Sequence, residues 1–288
     1  MSKKFKLLFS DMDGTLLTGK NEVSQYNISA INKAREKGAV FCIASGRPFW
    51  EISYIVSQTK TLTAPVVACN GAHVYLPETD EFLEYKNVPV DEGLKFLKFC
   101  DENNLRWSIY GHNCLCGPQY PTVFDMEFGD GTESSSYYLD KYNLPHPVRK
   151  VVKTDAEYIE ALKLGAGKIT VVNVDGKIGL VDDYFKTERP GVVCKQTGDP
   201  IREIMASGTS KWGGIKLIAD RLGIPYDEIC VFGDNMNDLD MIENCDNSFV
   251  VSDGDKRIFP YATEIIRNHD DDAVGHAIED YILDYIAE

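Results

Sequence analysis

Short apolar runs alternate with helical patterns through the first third of the chain. Phe5 to Ser10 is suited to a buried strand. Ser24 is placed to cap a helix in which Ile28, Ile31 and Ala34 recur at helical spacing, and Gly38 is placed to end it. Ala39 to Ala44 is the next buried strand, Pro48 sits where a first helical position would follow a loop, and Pro65 to Cys69 is a third strand. Strand–helix–strand alternation with continuous apolar strands predicts a parallel sheet covered on both faces. The same grammar returns late in the chain. Ser210 to Leu222 reads as a helix closed by Gly223, Ile229 to Phe232 as a strand and Asn237 to Asn244 as a helix. Phe249 to Ser252 and Thr263 to Ile266 are further short strands. Ala273 to Ile286 reads as an amphipathic C-terminal helix, capped by Asp270-Asp271-Asp272.

Between these halves the texture changes. Trp107, Tyr110, Tyr120, Phe124, Phe128, Tyr137 and Tyr138 crowd a segment that also holds a polar loop at 129–136. Helical patterns at Asp91–Asn103 and Ala156–Leu164 alternate there with strands near Leu105–Tyr110 and Lys168–Val174. The predicted class is α/β: a Rossmann-like, doubly wound parallel-sheet core from residues 1–87 and 197–288, with an α+β cap domain inserted at 88–196.

Composition narrows the function. A chain of 288 residues with 43% hydrophobic content has enough material for packed cores. Its formal net charge of −15 argues against broad contact with nucleic acid or anionic membrane, which requires clustered Lys and Arg. No apolar stretch reaches the roughly 7–15 residues of a secretory leader or the roughly 20 of a membrane span. The expectation is a cytoplasmic protein with neither nucleic acid nor membrane as partner. The eight cysteines are scattered, several within strand-like runs, as buried free thiols would be. Cys114 and Cys116 lack the second pair a zinc site needs.

The sharpest chemistry is Asp11-Met12-Asp13-Gly14-Thr15-Leu16, directly after an apolar strand. On an extended segment Asp11 and Asp13 project to the same side. Two carboxylates about 4 Å apart repel by roughly 4 kcal/mol at an effective dielectric near 20. A divalent cation relieves that repulsion, and hard oxygen ligands suit Mg²⁺. Gly14 permits a tight reversal whose N–H can face an anion. A second strand end carries Ala44-Ser45-Gly46-Arg47-Pro48, a hydroxyl and backbone N–H groups at a loop-to-helix junction. A third ends in Asn70-Gly71-Ala72. Lys211 opens a helix, where it opposes the dipole: it is either simply solvated or a point charge that could meet a phosphate. The last cluster, Gly233-Asp234-Asn235-Met236-Asn237-Asp238, sets Asp234, Asn237 and Asp238 on one loop-to-helix rim. Ligands of open α/β sheets bind outside the carboxyl ends of the strands, where all these groups fall. Gly165-Ala166-Gly167-Lys168 looks like part of a phosphate loop but lacks its spacing and its Ser/Thr.

With its motifs at 11–16, 44–48, Lys211 and 233–238 in this order, the chain resembles the haloacid dehalogenase superfamily of phosphohydrolases, in its Cof-type branch. The resemblance implies that Asp11 attacks phosphorus and that Asp13 is the general acid. It implies that Mg²⁺ is held by the carboxylates of Asp11 and Asp234 and the backbone carbonyl of Asp13. The implied phosphate and substrate set is Gly14, Ser45, Gly46, Arg47, Asn70, Lys211 and Asn237, with Asp238 in support. The partner would be a small phosphorylated metabolite, first of all a sugar phosphate, and the inserted domain would select it. Trp212, where the branch usually has glycine, puts the packing of the local helix in question. Transfer to a second hydroxyl, as in a phosphotransferase or mutase, and a non-enzymatic phospho-acceptor module are the rival readings.

Overall fold

Leu7, Leu8 and Phe9 are fully shielded from solvent in the first strand, β1 (Leu7–Ser10). An apolar strand buried on both faces belongs at the centre of a sheet. β1 lies there, between β2 (Val40–Ala44) and β12 (Ile229–Gly233), parallel to both. In the computed structural model, residues 5–61, 63–118, 135–172, 176–187, 189–198 and 201–286 are described. The chain divides into two compact units, one of Met1–Arg47, Glu51–Glu84 and Ser210–Glu288, the other of Pro48–Trp50 and Tyr85–Thr209.

The first unit holds an eight-stranded sheet in the order β14-β13-β12-β1-β2-β3-β4-β5. Its remaining strands are β3 (Val66–Ala68), β4 (His73–Leu76), β5 (Glu81–Tyr85), β13 (Ser248–Val251) and β14 (Glu264–Ile266). From β14 to β3 every pairing is parallel, and β4 runs antiparallel to β3. The chain leaves β1 towards β2 and β3 on one side and later returns to β12 on the other. The carboxyl ends of β12, β1, β2 and β3 therefore stand side by side at a topological switch point.

Helix α1 (Gln25–Glu36) begins where the Ser24 side chain accepts the N–H of Asn27, and it buries Ala30, Ile31 and Ala34. Helix α2 (Phe49–Gln58) follows Pro48. Across the sheet Leu7, Phe9, Cys42, Val67 and Val231 share one core with Trp212, Ile215 and Ile218. Those three residues belong to a helix that is capped by Ser210, spans Lys211–Leu222, and stops at left-handed Gly223.

The second unit has a six-stranded sheet in the order β10-β11-β9-β6-β7-β8. These are β6 (Arg106–Gly111), β7 (Cys114–Gly117), β8 (Val148–Val151), β9 (Ala166–Val172), β10 (Val192–Gly198) and β11 (Ile201–Ala206). β7 and β8 pair in parallel, whereas β10 with β11, β11 with β9, β9 with β6 and β6 with β7 pair antiparallel. Trp107, Ile109, Ile169, Val171 and Ile204 form one core with Phe96 and Leu97 of α3 (Val90–Glu102). α4 (Ser135–Lys141), α5 (Asp155–Lys163), with a Thr154–Glu157 capping box, and α6 (Gly179–Tyr184) complete its helices among the described residues. Numbering on from these, the Lys211–Leu222 helix is α7, followed by α8 (Leu239–Asn244) and α9 (Ala273–Ala277).

Two expectations change. The amphipathic stretch from Ala273 is not one helix: α9 gives way to a π turn at Ile278–Ile282 and a 3₁₀ turn at Leu283–Tyr285. Ile286 must be extended to bridge Phe5, whose N–H donates to the Tyr285 carbonyl at 2.8 Å, so helical geometry cannot reach it. Nor does Asp272 cap α9 through its side chain; it sits at φ 57° without a capping bond, while Asp270 accepts the N–H of Gly19 at 2.9 Å. Tyr120, Phe124, Phe128 and nearly all of the 129–136 loop lie outside the described residues. Lys168 is a strand residue in β9 and is ion-paired with Glu203, which settles the phosphate-loop likeness as accidental. Among the described residues no helix is long and apolar enough to cross a membrane.

Candidate active site

At the end of β1 the Asp11 N–H donates to the Phe232 carbonyl of β12 at 3.0 Å. The chain then turns. N–H groups of Thr15, Leu16 and Leu17 all donate to the Met12 carbonyl, at 3.3, 3.0 and 2.9 Å. Asp13 therefore lies in a turn and not on an extended strand, so pleat alternation does not account for its direction. Gly14 makes the turn possible at φ +74°, and a Cβ there would meet Asp234 Oδ2 at 2.7 Å. Thr15, whose part in the site has no signal in the sequence, donates its hydroxyl to Asp234 Oδ1 at 2.9 Å and locks that carboxylate to the turn.

Asp11, Asp234 and Asp238 each offer a carboxylate oxygen, and these atoms lie within 4.8 Å of one another. Lys211 opens α7 completely buried, its Nζ 2.8 Å from Asp11 Oδ1 and 2.6 Å from Asp238 Oδ1. The other oxygen of Asp238 accepts the N–H groups of Asp234 and Asn235 at 3.0 and 3.1 Å. Three carboxyl groups thus face one ammonium, and their full ionisation would leave two negative charges unbalanced at a largely buried place. Burial pushes the Asp11 carboxyl up to about 7; Lys211 opposes the rise, and Asp238 and Asp13 add to it. Asp234 is displaced well upward, by burial first and by Asp238 and Asp11 after it. Burial alone would depress Lys211, but Asp11 and Asp238 outweigh it and hold the ammonium above the ordinary lysine range. The donor set is all oxygen, and its surplus equals the charge of one divalent cation, so these residues fit a hard metal ion.

A family model of the haloacid dehalogenase-like hydrolases matches residues 8–278. The chain belongs to that family. Curated relatives extend over nearly all of it. It is 26% identical over 289 residues to the 5-amino-6-(5-phospho-D-ribitylamino)uracil phosphatase YitU of Bacillus subtilis, covering 98% of this chain and 99% of that protein. It is 23% identical over 287 residues to the pyridoxal phosphate phosphatase YbhA of Escherichia coli, covering 96% and 99%. A haloacid dehalogenase-like hydrolase from Bacteroides thetaiotaomicron has the same fold, with a TM-score of 0.81 at 20% identity over 96% of this chain and 99% of that one. Within the family the chain is a Cof-type phosphoric monoester hydrolase.

In this hydrolase the other motif residues gather around the acids. Ser45 follows β2, is buried, and its hydroxyl accepts the Arg47 N–H at 3.2 Å. Gly46 lies against the Asn70 amide: a Cβ there would come within 3.2 Å of Asn70 Oδ1. Arg47 clamps Asp13 with two nitrogens, Nε at 2.8 Å from Oδ2 and Nη2 on Oδ1, while Nη1 reaches the Tyr54 hydroxyl at 3.2 Å and Glu51 lies 4.0 Å away. The Asp13 carboxylate is therefore held by arginine, and the third converging carboxylate belongs to Asp238. Asn70 is buried, its N–H donating to the Ser45 carbonyl at 2.9 Å and its Oδ1 facing Asn237 Nδ2 at 3.4 Å. The bulky Trp212 is accommodated: its indole packs in the core and its backbone N–H donates to Asp240 Oδ2 at 3.0 Å. Tyr54, Glu51 and Asp240 carried no signal in the sequence, because each acts on a motif residue through the fold.

Proposed function

We propose that the protein is a Mg²⁺-dependent phosphatase that passes the phosphoryl group of a small phosphorylated metabolite through Asp11 to water. The convergence of buried Asp11 and Asp238 and half-buried Asp234 on a single lysine carries this reading, because that charge balance suits a site that takes in a cation. Asp11 and Asp234 would hold the metal together with the Asp13 carbonyl. When bound, the ion neutralises charge on the phosphoryl oxygens and on the carboxylates around them.

The chain's own groups supply the rest. An Asp11 oxygen forms a bond to phosphorus as the ester P–O bond breaks, and the departing alkoxide takes a proton from Asp13. Water then attacks phosphorus, gives its proton to Asp13, and releases phosphate with Asp11 restored. Lys211, Ser45 and the N–H groups near Gly14 and Gly46 would hold the phosphoryl oxygens. In the resting arrangement Arg47 stabilises Asp13 as a carboxylate, so acid catalysis requires Asp13 to leave that clamp and take up a proton from solvent before it meets the leaving oxygen. Arg47, Asn70 and Asn237 then stand on the substrate side of the acids.

The leaving group we favour is a sugar or sugar-like alcohol, since YitU is named for a phosphoribityl ester and the fold is shared with the sugar phosphatase BT4131, at a TM-score of 0.74. Its selection is assigned to the second unit. A panel of phosphate esters assayed with Mg²⁺ and with excess chelator tests the reading as a whole. Turnover should require the metal, and Asp11→Asn should form no phosphoenzyme; full activity after exhaustive chelation would sink the proposal. Asp13→Asn should lose most with poor leaving groups such as sugar alkoxides and least with an activated phenolate. Equal losses across leaving groups of very different pKa would remove Asp13 from the acid's role.

A further inference from the structure

A cavity of about 480 Å³ opens in the first unit at the amino ends of β2 and β3, the opposite end of the sheet from the acids. That volume is ordinary for a small-molecule site, which typically occupies about 300–1,000 Å³. Val40, Phe41, Ala64, Pro65, Leu76 and Leu222 supply apolar wall. Arg35 and Arg221 bring two guanidiniums, with Thr61, Thr63 and Thr79 beside them and an exposed Glu78 also on the lining.

The arginines differ in what they already hold. Arg221 reaches Glu81 at 3.2 Å with both side chains about half exposed. Arg35 donates only to the Asn32 amide, at 3.1 Å, and has no ion pair among the described residues. Each stands in the last turn of its helix, where a cation complements the negative dipole end. That role needs no cavity between them. In a chain of net charge −15, an apolar-walled space with two guanidiniums selects a compact anion with an apolar body.

The elements that form this cavity also carry the phosphate-handling residues at their other ends. β2 begins at Val40 in the cavity wall and leads to Ser45, a run of about 17 Å at roughly 3.3 Å per residue. β3 follows Pro65 and leads to Asn70. α7 starts at Lys211 and ends with Arg221 and Leu222 in the cavity, about 15–17 Å away at roughly 1.5 Å per residue. An occupant that shifts any of these rigid elements along its axis moves an active-site group with it.

We propose that this cavity is a regulatory site for a small anionic metabolite, bearing a carboxylate or phosphate on an apolar body, and that its occupancy is felt at Ser45, Asn70 and Lys211. The proposal goes beyond the phosphatase reading and does not depend on turnover. The test is amide NMR of the full chain titrated with benzoate, with phenylphosphonate as the dianionic arm and benzyl alcohol as the neutral control. Benzoate should saturably shift the amides of Val40, Ala64 and Leu222 and, in parallel, those of Ser45, Asn70 and Lys211; phenylphosphonate, which resembles a phosphate ester and can enter the active site directly, is read at the three cavity amides alone. Arg35→Met with Arg221→Met should weaken both sets at least tenfold while leaving basal aryl phosphate hydrolysis unchanged, and benzyl alcohol should bind no more tightly to one protein than to the other. The proposal is overturned if the cavity amides stay still, if the double variant binds equally well, or if cavity shifts occur without shifts at the three active-site amides.

Discussion

Asp11 is buried beside Asp238 and Asp13 with Lys211 opposing them, and its carboxyl is pushed from an ordinary 3.8 up to about 7, desolvation being the largest cause. An acid whose folded pKa lies above its unfolded one destabilises the fold progressively as pH rises from the unfolded value to the folded one. The metal-free protein should therefore lose stability from this group between about pH 4 and pH 7. Each unit of displacement is worth about 1.4 kcal/mol, so the loss is of the order of a few kcal/mol. Asp11→Asn removes that penalty while keeping an acceptor for Lys211. In chelator the variant should melt several degrees above wild type at pH 8, with the advantage gone near pH 4. An equal melting difference at both pH values would show that Asp11 is not the group being titrated. Saturating Mg²⁺ should reverse the order at pH 8 by stabilising wild type more. At this scale much of the site was legible, because Asp11, Asp13, Ser45, Lys211, Asp234 and Asp238 each follow a strand or open a helix. What the sequence could not show was who holds whom. The Arg47 clamp on Asp13 joins residues 34 apart, and the Thr15 bond to Asp234 joins residues 219 apart.

The ends of β3 and α7 are locked together through backbone. Cys69, Asn70 and Gly71 run at φ 48°, 53° and 94°, three left-handed residues in succession, two of them not glycine. Such conformations cost of order 1–3 kcal/mol each and persist only where the surroundings fix them. Here the Cys69 and Asn70 N–H groups donate to the Arg47 and Ser45 carbonyls, both at 2.9 Å. A Cβ on Gly71 would fall 2.0 Å from the carbonyl oxygen of Ser210, the residue that caps α7 just before Lys211. Gly71→Ala should therefore cost about 2–4 kcal/mol, combining backbone strain with displacement of a helix start. Urea unfolding reads the stability loss, and aryl phosphate turnover measured well below the midpoint should fall with it because Lys211 moves. A fully folded, fully active Gly71→Ala would mean that the α7 start is free to shift without consequence. Elements with unbroken apolar runs, β1, β2, β3 and β12, were readable because burial on both faces leaves no other composition. β4, β5, β7, β8, β10 and β11 escaped notice. They are short or mix polar with apolar residues, and only their neighbours in the sheet give them a register.

Over the whole molecule the net charge of −15 opposes the approach of any phosphate ester, while on the proposed mechanism Lys211, Arg47 and a bound cation would attract it at close range. The two influences respond differently to salt. Screening acts over about 10 Å at 0.1 M ionic strength, so it removes repulsion from carboxylates spread over the surface. Lys211 is fully buried and Arg47 nearly so, and contacts made at such groups are screened much less. If the distributed field governs approach, kcat/KM for a phosphate dianion should rise as ionic strength goes from about 0.01 to 0.15 M, the range over which the Debye length falls from about 30 to 8 Å. The expected gain is a few-fold at fixed saturating Mg²⁺, with kcat little changed because chemistry occurs after the anion has arrived. An inert salt such as tetramethylammonium chloride separates screening from competition by anions for the phosphate site. A monoanionic substrate should respond less than a dianionic one, since the repulsion it escapes is smaller. A steady fall in kcat/KM with salt would show instead that the local cations project an attractive field well beyond their own contacts. The surplus of acids would then lie on faces the substrate never approaches.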